Sequence, residues 1–448
     1  MMGRVGVIIK KQYYWGYLVV GMSLVLTYAI YFGSMWFYDD WYDYRLKYLA
    51  KIGSMGTTIL MCWALILAAR LRVVERLFGG LDKVYKAHRR FGEVALYIIF
   101  LHPIFLALDP EFDFLRFFWI AQMSGEAGHY YYARMTGLAA LTALVGLTSL
   151  SLWISLPYHV WKQTHNFFGL VLVLVIFHGV FAQGEIMSYP LLGAWFIVWV
   201  AIALCCYFYI RVLYRWFGPL HDYLVDHVRT LGDITEVYLR PRDPKRKMAF
   251  HPGQFLYVYF DSPDLRAEPH PFSISSAPQA GNIRISVKKM GDWTKQLPVL
   301  KPDQRAFVWG PYGKFGDHMA EHADKESVLL AGGIGITPFL SMVENEDFLE
   351  GKYNKAHLFY SVQIPEEAYY HDEITELGVK EEYLHYIPHS SDSEGYLTPE
   401  VIAERVGDLK TKVYLICGPK VMMDSLREEL MKAGVPFEQI FTEDFSII

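Results

Sequence analysis

The segment HRRFGEVALYIIFLH, residues 88–102, places a histidine at each end of an apolar run, and HNFFGLVLVLVIFH, residues 165–178, repeats the arrangement. His88 and His102 are fourteen residues apart. At ~100° per residue this falls about 40° short of four whole turns, so the two share a helix face; at ~1.5 Å per residue they lie roughly 21 Å apart along it. His165 and His178 are thirteen apart. On a straight helix they would point about 140° away from each other, so a bulge, a kink or a tight turn must intervene if both are ligands. Ionisable side chains at membrane depth are costly and usually mark function. Four histidines at two matched depths permit two stacked pairs of haem ligands, in which two axial nitrogens complete a six-coordinate iron suited to electron transfer. The competing explanation is interhelical hydrogen bonding by unrelated histidines.

Both segments lie in the half of the chain that is crowded with apolar residues. Over all 448 residues, 53% are hydrophobic and only 20% charged, and the mean hydropathy is +0.17. These values exclude a disordered chain, a small secreted scaffold and a cytosolic enzyme throughout. A net charge of −5 gives no reason to expect a nucleic-acid partner. Six stretches are long enough to cross a ~30 Å hydrocarbon layer: 15–37, 52–71, 87–108, 135–156, 164–184 and 190–212. The first is too long for a signal h-region and is read as a retained helix. Arg70, Arg72, Arg76, Lys83, Lys86, Arg89 and Arg90 crowd the connection between the second and third stretches, whereas Asp39, Asp40, Asp43, Asp109, Glu111 and Asp113 follow the first and third. Basic residues mark the inner side. Both termini are therefore expected in the cytoplasm, with His88 and His165 near the inner face and His102 and His178 near the outer one. The four cysteines form no pairing framework and no C-x-x-C-H attachment motif, so haem would be held by ligands alone.

From about residue 217 the composition becomes ordinary. Short alternating runs at Glu236–Arg242, Gln254–Phe260, Ile283–Lys289 and Arg305–Trp309 predict a small antiparallel barrel over 217–322. Strand-like runs at Val328–Ala331, His357–Val362 and Val413–Ile416, with helices from Thr337 and around Val421–Lys432, predict a parallel α/β domain over 323–448. In the barrel, His270-Pro-Phe-Ser-Ile-Ser-Ser-Ala-Pro278 offers hydroxyl donors beside a fixed proline turn, and Gly291-Asp-Trp-Thr294 offers backbone N–H groups where a glycine turn enters a helix. In the α/β domain, Leu329-Leu-Ala-Gly-Gly-Ile-Gly-Ile-Thr-Pro338 runs from a buried strand through glycines to a helix start. Gly332, Gly333 and Gly335 let backbone approach a pyrophosphate, although the run is not G-x-G-x-x-G. Thr337 suits a cap and Pro338 the first helical position. Cys417-Gly-Pro419 stands at a strand's carboxyl end, where open α/β sheets bind ligands. Phe445 is an aromatic able to stack on a cofactor.

This set of motifs, in this order, resembles the NADPH oxidase and ferric reductase superfamily, especially its short bacterial members. The resemblance covers most of the chain and includes the 14- and 13-residue histidine spacings. It implies a membrane all-α six-helix bundle (1–216) joined to a cytoplasmic ferredoxin–NADP reductase-like unit, made of an antiparallel β-barrel FAD domain (217–322) and an α/β NAD(P)H domain (323–448). It implies two b haems, on His88 with His165 and on His102 with His178. His270, Pro271, Phe272 and Ser273 would hold the flavin, with Ser275 and Ser276 beside them. Gly291, Asp292, Trp293 and Thr294 would take the flavin pyrophosphate. Gly332, Gly333, Gly335, Thr337 and Pro338, with Gly418 and Pro419, would take NADPH. Cys417 would sit near the nicotinamide, and Phe445 would cover the flavin face where hydride arrives. Gln363 stands where related reductases often carry an arginine for the 2′-phosphate, which leaves NADH open as the donor.

The expected activity is a plasma-membrane NAD(P)H oxidase that moves electrons through FAD and both haems to oxygen outside, giving superoxide. No EF-hand loop or long regulatory segment is present, so activity is expected without calcium or an obligatory protein partner. A ferric or cupric reductase on the same electron chain is the close alternative. A haem-bearing channel or transporter that senses nucleotides is the more distant one.

Overall fold

A computed structural model describes residues 3–42, 45–108, 127–154, 156, 158–182, 184–266, 268–380 and 383–443. The chain divides into two compact units, Met1–Tyr214 and Arg215–Ile448.

Among the described residues of the first unit, six helical spans are long and apolar enough to cross a membrane. They are built from α1 (Gly3–Tyr38), α2 (Lys47–Ala68), α4 (Leu81–Ile99) continued by α5 (Leu101–Ala107), α6 (Ala127–Leu152), α7 (Tyr158–His165) continued by α8 (Phe168–Ala182), and α9 (Pro190–Phe208). A short helix, α3 (Arg72–Phe78), occupies the basic connection before α4. Helices are the natural solution here because lipid offers no partner for backbone N–H and C=O groups. Large apolar side chains such as Leu191, Ile197 and Val198 are exposed, as a lipid-facing surface requires. Met61, Cys62, Leu144, Val171, Leu172 and Ala203 are buried together between α2, α6, α8 and α9. The most buried span is α2, which touches α1, α4, α5, α8 and α9. A Cβ on Gly53 would lie 2.7 Å from the Ile98 carbonyl oxygen and 2.8 Å from Leu101 Cβ, so only glycine lets α2 come this close to the α4–α5 span.

The thirteen-residue histidine spacing has a local cause. The helix stops at His165, turns at Asn166 and Phe167, and restarts at Phe168. The turn is closed by Phe167 N–H donating to Thr164 O (3.1 Å) and Leu170 N–H donating to Phe167 O (2.9 Å). The Asn166 carbonyl, displaced from the regular ladder, accepts from the Tyr207 hydroxyl of α9 at 2.9 Å. An irregular turn at membrane depth survives when a neighbouring helix satisfies the freed group.

The second unit contains two sheets. Strands β1 (Leu220–Leu231), β2 (Ile234–Pro241), β3 (Phe255–Phe260), β4 (His270–Ser273), β5 (Ile283–Lys288) and β6 (Arg305–Tyr312) form an antiparallel sheet in the order β4-β3-β6-β1-β2-β5. The sheet curls until its two edges meet, through the bridge between Ile274 and Ile285 and the Ser275 N–H bond to Arg284 O (2.8 Å). Tyr223, Val237, Leu256, Ile274, Ile285 and Val308 fill its inside, and a short helix, α10 (Asp292–Gln296), follows β5. The sequence reading did not anticipate β1. A bulge between Val225 and His227 breaks its alternation, and His221, Asp222, Asp226 and Arg229 mask the rest.

Strands β7 (Ser327–Gly332), β8 (Ala356–Val362), β9 (Leu384–Ser390), β10 (Val413–Cys417) and β11 (Ile440–Glu443) form a parallel sheet in the order β11-β10-β7-β8-β9. Every residue of β7 and β10 is buried, as expected for strands covered on both faces. One face packs on α11 (Thr337–Val343) and α12 (His371–Lys380), the other on α13 (Pro399–Val406) and α14 (Lys420–Lys432).

A buried charge cluster joins the two sheets. Arg284 of β5 meets Glu344 just after α11 (2.9 Å), Glu373 of α12 (2.8 Å) and Glu236 of β2 (3.8 Å). One cation faces three carboxylates. Burial, reinforced by the neighbouring Glu373 carboxylate, pushes the Glu344 carboxyl up to about 8. The folded unit therefore keeps a proton that the unfolded chain has already lost, and its stability falls as pH rises from the ordinary glutamate range through about 8. Thermal unfolding of the full-length protein between about pH 6 and about pH 9 is expected to show this decline, and Glu344→Gln to flatten it. A Glu344→Gln profile as steep as wild type would contradict the assignment.

Candidate functional site

The structure brings the four membrane histidines together in the two expected pairs. The His88 and His165 ring centres are 5.8 Å apart, and those of His102 and His178 are 6.1 Å apart. In each ring Nδ1 is engaged by a neighbouring helix. His88 Nδ1 lies 2.9 Å from Ala64 O and His102 Nδ1 lies 3.2 Å from Ala50 O, both on α2. His178 Nδ1 lies 2.7 Å from Ala133 O, and His165 Nδ1 lies 3.1 Å from Ser151 Oγ, both on α6. A carbonyl oxygen only accepts, so three of the rings carry their proton on Nδ1 and keep the Nε2 lone pair for a metal. His165 is further confined between Trp161 (4.8 Å, stacked) and Phe168 (4.9 Å, edge-on). A Cβ on Gly137 would lie 2.7 Å from His178 Nδ1, so glycine leaves room for that ring against α6.

These pairs fit haem on two counts. Two imidazoles on one metal ion at ~2 Å each bring their ring centres to roughly 6 Å. Among the described residues no group of three or more His, Cys, Asp or Glu could hold a metal ion. An ion between two histidines therefore needs its remaining ligands from elsewhere, which a porphyrin supplies.

Sequence reading found the histidines but missed the residues that orient them. Ala50 and Ala64 are fourteen residues apart, the same spacing as His88 and His102, so an antiparallel α2 offers one carbonyl to each ring. Alanine carbonyls carry no chemical signature. The repeated spacing was the only signal available.

In the second unit the two candidate flavin segments meet. The His270 ring lies 4.0 Å from the Trp293 ring, which also stacks on Phe272 at 5.9 Å. Trp293 itself is buried in the barrel core, while Gly291 and Asp292 are exposed. The sheet's two edges pair only beyond β4, at Ile274 and Ser275, so the outer edge of the terminal strand His270-Pro271-Phe272-Ser273 offers polar backbone to a ligand. Thr294 Oγ1 accepts from Met290 N–H (3.0 Å) and Gly291 N–H (2.9 Å) and shapes the turn. The hydroxyls of Ser275 and Ser276 are used within the protein. Ser275 Oγ donates to Arg284 O at 3.1 Å, and Ser276 Oγ accepts from Arg284 N–H at 3.0 Å.

The nucleotide residues gather at the carboxyl edge of the parallel sheet. A Cβ on Gly335 would lie 2.3 Å from Cys417 O, and one on Gly418 would lie 2.9 Å from Gly332 Cα, so the glycine turns after β7 and β10 press together. Gly333 adopts φ +52° with open space beside it. Thr337 and Pro338 begin α11, and Pro419 precedes α14. Cys417 is buried and pairs in register with Ala331 on one side and Glu443 on the other. Glu443, a buried carboxylate beside Gly313, went unnoticed because it stands in an unremarkable terminal stretch. Phe445 lies outside the described residues.

Residues 52–176 match the ferric reductase like transmembrane component, 220–333 an FAD-binding domain, and 329–428 the oxidoreductase NAD-binding domain. The chain has the architecture of the NADPH oxidase and ferric reductase-like superfamily. It is a multi-pass membrane protein with that superfamily's three parts in order. A flavohemoprotein of a Burkholderia species is 28% identical over 241 residues, covering 51% of this chain and 60% of that protein. The reductase component of a propane 2-monooxygenase from Mycolicibacterium smegmatis is 29% identical over 231 residues, covering 48% of this chain and 64% of that protein. The chain thus spans less than two thirds of the length of these relatives. The flavohemoglobin of Malassezia yamatoensis, solved with FAD and heme, is similar in fold, with a TM-score of 0.51 at 17% identity over 89% of this chain and 96% of that one.

Gly137→Val is expected to push the His178 ring from its place. Haem content and spectrum of the purified protein should then show one bis-histidine component lost and the other, on His88 and His165, retained. Loss of both, or of neither, would contradict independent pairs.

Proposed function

We propose that this chain is a plasma-membrane NAD(P)H oxidase that passes electrons from cytoplasmic NAD(P)H to oxygen on the outer side, forming superoxide. The observation that carries this reading is the two facing histidine pairs, 5.8 and 6.1 Å between ring centres, at opposite ends of their spans. When bound, FAD takes a hydride's two electrons and releases them singly, and two b haems carry single electrons across the bilayer. His88 and His165 would hold the inner haem, and His102 and His178 the outer one. Held by two histidines each, the haems would supply one-electron transfer and leave oxygen no place on the metal. The arginines and lysines from Arg70 to Arg90 favour the cytoplasm for their connection and for both termini. His270 to Ser273, Ser275 and Ser276, and Gly291 to Thr294, would bind the flavin. Gly332, Gly333, Gly335, Thr337, Pro338, Gly418 and Pro419 would bind the nicotinamide dinucleotide. Cys417 would stand beside the transferring ring, and Phe445 would cover the flavin face.

One observation favours oxygen over a metal ion as acceptor. Lys51 follows Ala50, whose carbonyl lies 3.2 Å from His102 Nδ1, and so stands at that histidine's end of α2. An ammonium there attracts an anionic product and repels ferric or cupric ions.

The test uses purified protein loaded with FAD and haem in metal-free buffer with NADH or NADPH. Dismutase-sensitive superoxide is expected, and Lys51→Met should lower it several-fold while leaving the haem spectrum intact. Electron flow to ferric chelate with oxygen left unreduced would overturn the oxidase in favour of a metal reductase.

A further inference from the structure

The carboxyl edge of the parallel sheet carries information about the donor that the glycine turns do not. In a dinucleotide-binding βαβ unit the pyrophosphate sits over the first glycine turn, and the adenosine ribose is read at the end of the next strand. An acidic or neutral hydrogen-bonding residue there suits a free 2′-hydroxyl, whereas an arginine accommodates a 2′-phosphate. Here the first turn follows β7, and the next strand, β8, ends at Val362. It is followed by Gln363 and the single turn Pro365–Glu367, and the adjacent β9 by the turn Ser391–Glu394.

The two turns are tied to each other. The Gln363 carbonyl accepts from the Ser390 hydroxyl at 3.0 Å and from the Asp392 N–H at 3.1 Å. Glu394 in turn accepts from the Ser390 N–H at 2.9 Å. Gln363 and Asp392 are thus held side by side at the rim, both exposed, with exposed Glu366 following in the β8 turn.

The charge of this rim has one sign. The two turns themselves, residues 363–367 and 390–395, contain no lysine or arginine, and they expose Glu366, Asp392 and Glu394. Lys288 meets Asp233 at 3.3 Å, and Lys289 donates to the Gly232 carbonyl at 3.2 Å, beneath Tyr369. His389 is buried, with Nε2 at 2.9 Å from Gly395 O, and His371 is joined to the Tyr386 hydroxyl at 3.0 Å. A 2′-phosphate would bring roughly two negative charges to this rim, where the described residues 363–367 and 390–395 offer no guanidinium to receive them.

We propose that the dinucleotide site selects NADH over NADPH, with Gln363 and Asp392 forming the rim that reads the unphosphorylated adenosine ribose. The inference rests on the functional reading above only in taking this sheet edge as the dinucleotide site. Like charges brought together at a binding interface cost enough for an expected preference of at least about tenfold.

The experiment is calorimetric titration of the full-length protein with NAD⁺, NADP⁺, ADP-ribose and 2′-phospho-ADP-ribose. The unphosphorylated member of each pair is expected to bind more tightly by that factor. Gln363→Arg combined with Asp392→Asn is expected to raise affinity for the two phosphorylated probes and to lower it for the other two. Equal or tighter binding of NADP⁺ by the wild type would overturn the proposal. So would a double variant that shifts all four probes alike, or a wild type that binds none of them. Electron transfer is scored separately. Tight NAD⁺ binding without NADH-driven superoxide would reject the oxidase and leave this selectivity standing. NADPH-driven superoxide with tighter NADP⁺ binding would do the reverse.

Discussion

A backbone carbonyl accepting an imidazole proton across two membrane helices is the interaction on which the first unit depends. Ala64 O with His88 and Ala50 O with His102 tie α2 to the α4–α5 span, and Ala133 O with His178 ties α6 to α8. In hydrocarbon the alternative is an unsatisfied polar group costing several kcal/mol. Each bond therefore fixes ring orientation and helix register together. The choice of tautomer follows, because a carbonyl leaves Nδ1 no option but to donate. Small residues complete the arrangement. Gly53 and Gly137 bring backbone to within reach of the rings, and larger side chains there would separate the helices.

The same constraint explains the break in the span that carries His165 and His178. A straight helix would turn His165 away from His178. The break at Asn166 and Phe167 corrects the direction, and the Tyr207 hydroxyl satisfies the carbonyl that the break exposes. The Asn166 turn is thus part of the histidine geometry, maintained by a residue on a different span. In the second unit a comparable role falls to Arg284, which joins the barrel to the nucleotide sheet through Glu344 and Glu373.

Much of this was legible from residues. Apolar length gave all six spans. The histidine spacings gave both pairs, including the need for a local distortion in the second. The parallel strands β7, β8 and β10 were visible because burial on both faces leaves uninterrupted apolar runs. What escaped notice did so for physical reasons. β1 hid behind a bulge and its charges. The orienting groups were main-chain carbonyls of alanines, which side-chain patterns do not report. That the hydroxyls of Ser275 and Ser276 also tie the barrel's two edges together at Arg284 was not visible either, because the contact crosses between separate strands. Glu443 became notable only when β11 set it beside Cys417.

The central claim is that each histidine pair closes both axial positions of one metal centre. Low-temperature electron paramagnetic resonance of the oxidised, haem-loaded full-length protein tests it most directly. Two distinct low-spin bis-imidazole signals are predicted, with little high-spin iron. A dominant high-spin signal, or a single low-spin species at full haem loading, would contradict the account.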